Sequence, residues 1–283
     1  MVGIKPTRGR VSFAPAAREP WGGLLHSGPL ARTVSDAAAM LDVIAAPGLG
    51  EGNLMAAAPR YRAACERPPG RLRVAFTAAI PGGEIDRQVA DAFADALAVL
   101  RGLDLEPVQD APDVSALPEL FAVIVESSFA GLAAPLSESQ LRLLDTTSRQ
   151  LIERGRRIAA ADYLRAVDAA HRESMRILRF WDEYDVLVTP TVPWLPPRRE
   201  RLPCTEDYEA KWAQYGVWEA FTSPWNVTGQ PAVSLPCRLR SREGLPIGLQ
   251  LVGAFGAEAD LVALAAACEA AAPWAHRRPP GFE

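Results

Sequence analysis

Histidine is scarce here: His26, His171 and His276 are the only three in 283 residues, and they sit in unrelated contexts. With no Gly-x-Ser-x-Gly elbow either, a Ser-His-acid hydrolase is not indicated. Four cysteines, at 65, 204, 237 and 268, show no ligand-pair spacing. That argues against a zinc site or a disulfide framework and fits a reducing cytoplasm. His-x-x-x-His, Cys-x-x-Cys and Walker patterns are missing, so neither a metal nor a cofactor is expected. No apolar run reaches membrane-spanning length, and no signal-like segment follows Met1. Charge of one sign is also lacking. A net charge of −4 gives no reason to expect a nucleic-acid or membrane partner. Arg154, Arg156 and Arg157, and the pair Arg198–Arg199, read as solvated faces. What remains is an ordinary globular composition, 49% hydrophobic and 23% charged, long enough for one large domain or two small ones.

Two apolar runs, Pro231–Pro236 and Ile247–Val252, flank a polar tip at Arg240–Gly244, which predicts a hairpin of adjacent strands. Alternation puts Ile247, Leu249 and Leu251 on one face and Gly248, Gln250 and Val252 on the other. Glycines 248 and 253 allow close backbone approach. Val2–Ile4 reads as a strand end. Thr33 with Asp36, or alternatively Ser35, opens a helix whose stripe is Val34, Ala37, Leu41 and Ile44. Leu72–Phe76, a helix capped by Asp86 and closed by Gly102, and Leu105–Val108 predict a parallel βαβ unit. Helices are expected over 117–133, 137–155 and 160–182, the last with Leu164, Val167, Met175, Leu178 and Trp181 inward. Tyr184–Pro190 reads as a strand, 206–221 and 258–272 as helices, and 273–283 as a loosely held tail. His26–Ser27 reads as a loop histidine beside a turn serine, His171 as a solvated or half-buried helix residue, and Ser127–Ser128 as small polar fillers. The aromatic residues between Trp212 and Trp225 fit core packing or an apolar pocket lining.

Function enters through a resemblance. Gly3–Ser12 (Gly-Ile-Lys-Pro-Thr-Arg-Gly-Arg-Val-Ser) resembles the segment that follows the nucleophile in the amidase signature family. Gly28–Ala38 is similar to that family's next block, Tyr184–Thr191 to its late strand, and Asn226–Pro236 with Gly244–Gly253 to its C-terminal hairpin. The resemblance implies an α/β fold, a mixed, mostly parallel sheet flanked by helices. It also implies hydrolysis of carboxylic amides to acid and amine through an acyl-serine intermediate. In the family a serine nucleophile, a second serine on a cis peptide and a neutral lysine carry the reaction, with backbone N–H groups steadying the oxyanion.

Those three groups precede the block matching Gly3–Thr7, so no catalytic residue is assigned in this chain. Lys5 belongs to the Lys-Pro-Thr block and is expected to pack or pair at the sheet edge. The expectation is a single, incomplete amidase domain over 1–283, inactive in isolation, with a C-terminal scaffold function. The alternatives are a non-catalytic binding remnant and one half of a split amidase. Candidate rim residues for a small-molecule amide are Thr189 and Thr191 at a strand's C-terminal end, with Trp225 and Asn226 nearby. They equally read as strand-end turns and a packed indole. Missing strands are expected to expose an apolar sheet edge, inviting self-association or cover by an upstream N-terminal chain.

Overall fold

The computed structural model describes residues 1–16, 20–45, 60–80, 83–198, 216–278 and 281. Its strands form one seven-stranded sheet. In chain order the elements are β1 (Val2–Lys5), β2 (Leu30–Ala31), α1 (Val34–Ile44), α2 (Tyr61–Ala64), β3 (Val74–Phe76), α3 (Arg87–Arg101) and β4 (Val108–Gln109). There follow α4 (Leu117–Ala133), α5 (Glu138–Leu141), α6 (Thr146–Arg157), α7 (Ala160–Leu178), β5 (Val186–Pro190), α8 (Ser223–Thr228), β6 (Ala232–Arg240), β7 (Pro246–Gly253) and α9 (Glu258–Ala271). The sheet order is β2-β1-β6-β7-β5-β3-β4.

The sheet is mixed and flanked by helices, as the resemblance implied. Its parallel pairings are β3 with β4 and β3 with β5; the other pairs are antiparallel. Following those pairings across the sheet, only β1 and β7 run against the remaining strands. The β3–α3–β4 crossover is the predicted βαβ unit.

Local chemistry sets the boundaries. The Thr33 side chain accepts from Asp36 N and opens α1, and Asp86 accepts from Gln88 N at 2.7 Å and opens α3. The β6–β7 hairpin carries the predicted alternation. Ile247, Leu249 and Leu251 pack with Val186, Val188, Val233 and residues of α1, α3 and α9. Val252 packs on the opposite face with Ala75, Leu187, Ala232 and residues of α4, α7 and α8. A sheet buried on both faces reads as near-continuous apolar runs, as β5 does.

Four expectations change, and a fifth falls largely outside the described residues. The helix expected over 137–155 is two, because Ser137 and Asp145 each act as an N-cap. In α7, Leu164 and Met175 face solvent, while Ala166, Ala170, Ser174 and Ile177 are buried. Small side chains on that face let α7 approach α4 and α8 closely; Val167, Leu178 and Trp181 do lie inward. The tail is held at least as far as Arg277. Trp274 is buried and its indole donates to Arg32 O, and Arg277 donates to the carbonyls of Cys237 and Arg238. The helix expected over 206–221 lies, up to residue 215, outside the described residues. Finally, β1 is interior, between β2 and β6, and the edges of the described sheet are the two-residue strands β2 and β4. Edges this short offer little template for pairing. No helix among the described residues is long and apolar enough to cross a membrane.

Candidate functional site

The strands β3, β4 and β5 end side by side, and an apolar chamber of 310 Å³ opens at those ends. Thr77 and Ala79 follow β3, Ala111 to Ser115 follow β4, and Leu187 and Thr189 come from β5. Phe221, Pro224 and Trp225 close it from the side of α8. Thr189 is 1% exposed and its hydroxyl proton is committed. It donates to Pro190 O at 2.8 Å and accepts from Gln250 Nε2 at 3.0 Å, while Gln250 also donates to Phe221 O. Trp225 is 3% exposed and stands edge-on to Trp181 at 5.7 Å, and its indole N–H has no acceptor among the described residues.

The structure thus brings two of the four predicted rim residues together. Thr191 lies on the same sheet face, but over β6 and β7. Its hydroxyl meets Ser234 Oγ at 2.8 Å, and its N–H donates to Gly248 O. A Cβ at Gly248 would stand 2.6 Å from Thr191 Oγ1, so this glycine does allow the close approach expected of it. Asn226 is not among the residues that line the chamber. Its carbonyl accepts from Arg8 at 2.7 Å.

Arg8 marks a second cavity, a cleft of 630 Å³ on the far side of α8. Arg8, Leu24, Thr228 and Phe255 form one wall, and Ile124, Ala170, Ser174 and Leu178 the other. Pro224 and Trp225 line the chamber whereas Val227 and Thr228 line the cleft, so α8 is the partition between them. The Arg8 guanidinium binds the carbonyls of Gly23, Asn226 and Val227 at 2.9, 2.7 and 2.8 Å. A cation at the C-terminal carbonyls of a helix is electrostatically favoured. Ser174 adds a bond from α7 to Val227 O at 3.3 Å and one to Ala170 O at 2.7 Å. Sequence reasoning missed Arg8 as a site residue, although it stands in the Lys-Pro-Thr-Arg block that carried the resemblance.

Close to Arg8 are two bases whose protonation the fold disfavours. Burial pushes the Lys5 amine down to about 7, helped by Arg8 and opposed by Glu258. Its Nζ donates to Pro6 O at 3.0 Å, inside the sheet rather than at an edge. Burial pushes the His26 imidazole down to about 3, with Lys5 and Arg8 adding repulsion. His26 Nδ1 lies 3.1 Å from Leu24 O, a carbonyl that can only accept, so Nδ1 is assigned the proton. That leaves Nε2 as a buried acceptor without a partner. Behind them Glu258, fully buried, accepts from Thr7 N at 2.9 Å and Arg10 Nε at 3.3 Å. Among the described residues no three His, Cys, Asp or Glu side chains gather as a metal-ligand set.

Comparison with known proteins follows the same lines. A family profile described as Amidase matches residues 1–262. The 6-aminohexanoate-cyclic-dimer hydrolase of Paenarthrobacter ureafaciens is 33% identical over 99% of this chain and 60% of its own length. The putative amidase AmiB2 of Mycobacterium tuberculosis is 35% identical over 99% and 59%. A solved structure of a 6-aminohexanoate cyclic dimer hydrolase, complexed with its substrate, superposes with a TM-score of 0.88 at 32% identity, covering 99% of this chain and 62% of that one. The chain spans about 60% of the length of these curated relatives. Block by block and strand by strand, the chain belongs to the amidase signature family.

Proposed function

We propose that this chain serves hydrolysis of a small carboxylic amide, supplying the C-terminal scaffold and one wall of the reaction cleft. The carrying observation is the cleft at Arg8, which continues directly from the Gly3–Thr7 block. In family order the serine nucleophile, bridging serine and lysine stand just before that block. They belong to a segment N-terminal to it, whether joined to this chain or supplied as a separate one. In the reaction the neutral lysine draws the nucleophile's proton through the bridging serine. The serine attacks the amide carbon, the amine leaves with a proton, and water resolves the acyl-enzyme to free acid. Arg8, Ser174 and α8 hold the floor of the cleft rigid, and its apolar wall suits an uncharged acyl group. The amide named for the cyclic-dimer hydrolases is consistent with such a wall. A reducing cytoplasm suits the free thiols Cys65, Cys237 and Cys268.

The test is turnover of small aryl and alkyl amides by the purified 283-residue chain, alone and co-expressed with the N-terminal portion of a close relative. Alone it should show no turnover above blank, because nucleophile and base are both missing from these residues. Complemented, it should turn over. Activity of the chain alone would overturn the division of labour, and inactivity of a soluble complemented pair would overturn the cleft assignment.

A further inference from the structure

We propose that Phe255 and Met175, at the mouth of the Arg8 cleft, select small amides that carry an aromatic ring, a choice of substrate class that rests on the hydrolytic reading of that cleft. Both side chains line it, one from the link between β7 and α9 and the other from α7. Phe255 is 50% exposed and Met175 54%, whereas Leu24 and Ile124 in the same lining are buried. Large apolar side chains exposed singly need no explanation, but two brought to one concave site mark a surface for a ligand. A cleft of 630 Å³ lies within the range of small-molecule sites.

The backbone on both sides of Phe255 is fixed. Ala254 packs against the cluster that includes α4, α7 and α8. Gly256 turns the chain at φ +85°, and its N–H donates to Thr7 Oγ1 at 3.0 Å. Two residues on, the buried Glu258 carboxylate accepts from Thr7 N and Arg10 Nε. An aromatic side chain has two torsions to lose, so a ring on fixed backbone binds at little entropic cost. Among the described residues no other aromatic ring pairs with it. Met175 supplies the complementary group. Periodicity places it in the core, yet the buried face of α7 is Ala166, Ala170, Ser174 and Ile177, and the thioether is left at the cleft. A thioether gains from contact with a ring, and a phenyl ring gains from another ring in offset or edge-to-face contact. A saturated ring of the same size has neither contact to gain, only apolar area to bury.

The probes are 3-phenylpropanamide and 3-cyclohexylpropanamide, which differ in aromaticity and little else. The full chain, its four methionine methyl groups labelled with ¹³C, is titrated with each, and Met175→Leu provides the assignment. The phenyl compound should move the Met175 methyl resonance upfield, saturably, through its ring current. The cyclohexyl compound should bind about fivefold more weakly. Phe255→Leu, a change at a half-exposed position, should weaken the phenyl compound about fivefold and the cyclohexyl compound less than about twofold. An unmoved Met175 methyl, equal affinity for the two amides, or an equal loss for both in Phe255→Leu would each overturn the proposal. Loss of phenyl binding on co-expression with the N-terminal portion of a close relative would overturn it too, since Phe255 would then be covered by protein instead of substrate. Binding is read here without turnover. An inactive complemented pair that kept the preference would therefore sink the hydrolytic reading and leave the ring selectivity standing.

Discussion

Burial lowers the pKa of both Lys5 and His26, with Arg8 repelling each and Lys5 repelling His26 as well. Each group's pKa is lower in the folded chain than in the unfolded one. The unfolded state therefore binds the extra proton in the window between the two values, and stability rises with pH across it. For His26 that window runs from about pH 3 to 6.5, so acidification below 6.5 should progressively unfold the protein. His26→Gln should flatten this part of a urea-midpoint-versus-pH curve. For Lys5 the window lies between about pH 7 and 10.5, where stability should climb with pH. Lys5→Met should remove that slope and raise the midpoint at pH 7, since burial of an amine is replaced by burial of a thioether. An unchanged slope in either variant would show that the group is solvated in the folded chain. Neither behaviour was legible in the sequence. Lys5 reads there as one residue of a family block, and its burial is decided by β2, β6 and the loop carrying His26. Of the four rim residues, Thr189 and Trp225 meet at the chamber where the strands end, as the strand-end rule brings them together. Asn226 follows Trp225 directly, but one residue is about a quarter turn of helix, and that turn carries it to the Arg8 side.

At the level of elements, the contact between α4 and α6 depends on Gly155. A Cβ built there would stand 1.9 Å from Glu126 O, so the helices touch backbone to side-chain position. Gly155→Ala should therefore destabilise the fold by about 1–3 kcal/mol in denaturant unfolding, despite alanine's better helix propensity. Gly131, in α4 itself, meets nothing within 4 Å. Gly131→Ala should stabilise by about 0.5–1 kcal/mol, which separates packing from propensity with a single type of substitution. If Gly155→Ala stabilised the fold as Gly131→Ala should, the close approach of α4 and α6 would be wrong. Sequence periodicity predicted the elements far better than their facing. Caps at Thr33 and Asp86 and the alternation in β7 are local signals, and all three appear in the structure. The inward face of α7 is not local. Counting large apolar residues favoured Leu164 and Met175, yet the neighbouring helices select the face with the smallest side chains.

Across the whole molecule, the two faces of the sheet are covered by different sets of helices, with α1, α3 and α9 on one side and α4, α7 and α8 on the other. Glu258 at the start of α9 joins the last helix to the exit of the first strand through Thr7 and Arg10. Glu258→Ala should cost about 3–5 kcal/mol, because Arg10 would be left buried beside an empty position. Glu258→Gln keeps an acceptor for the Thr7 N–H and should cost less. Equal losses from the two substitutions, measured by urea unfolding, would show that the acceptor kept by glutamine contributes nothing and that the junction rests on the charge pair.

The partners in that junction are 251 residues apart. A ribosome adding about 5–20 residues per second needs on the order of 10–50 s to bridge such a gap. Throughout that interval Val2 and Ile4, destined for full enclosure, have no neighbour on the β6 side. β1 is thus made long before β6 and sheltered late, which makes it a natural client for a holding chaperone during translation.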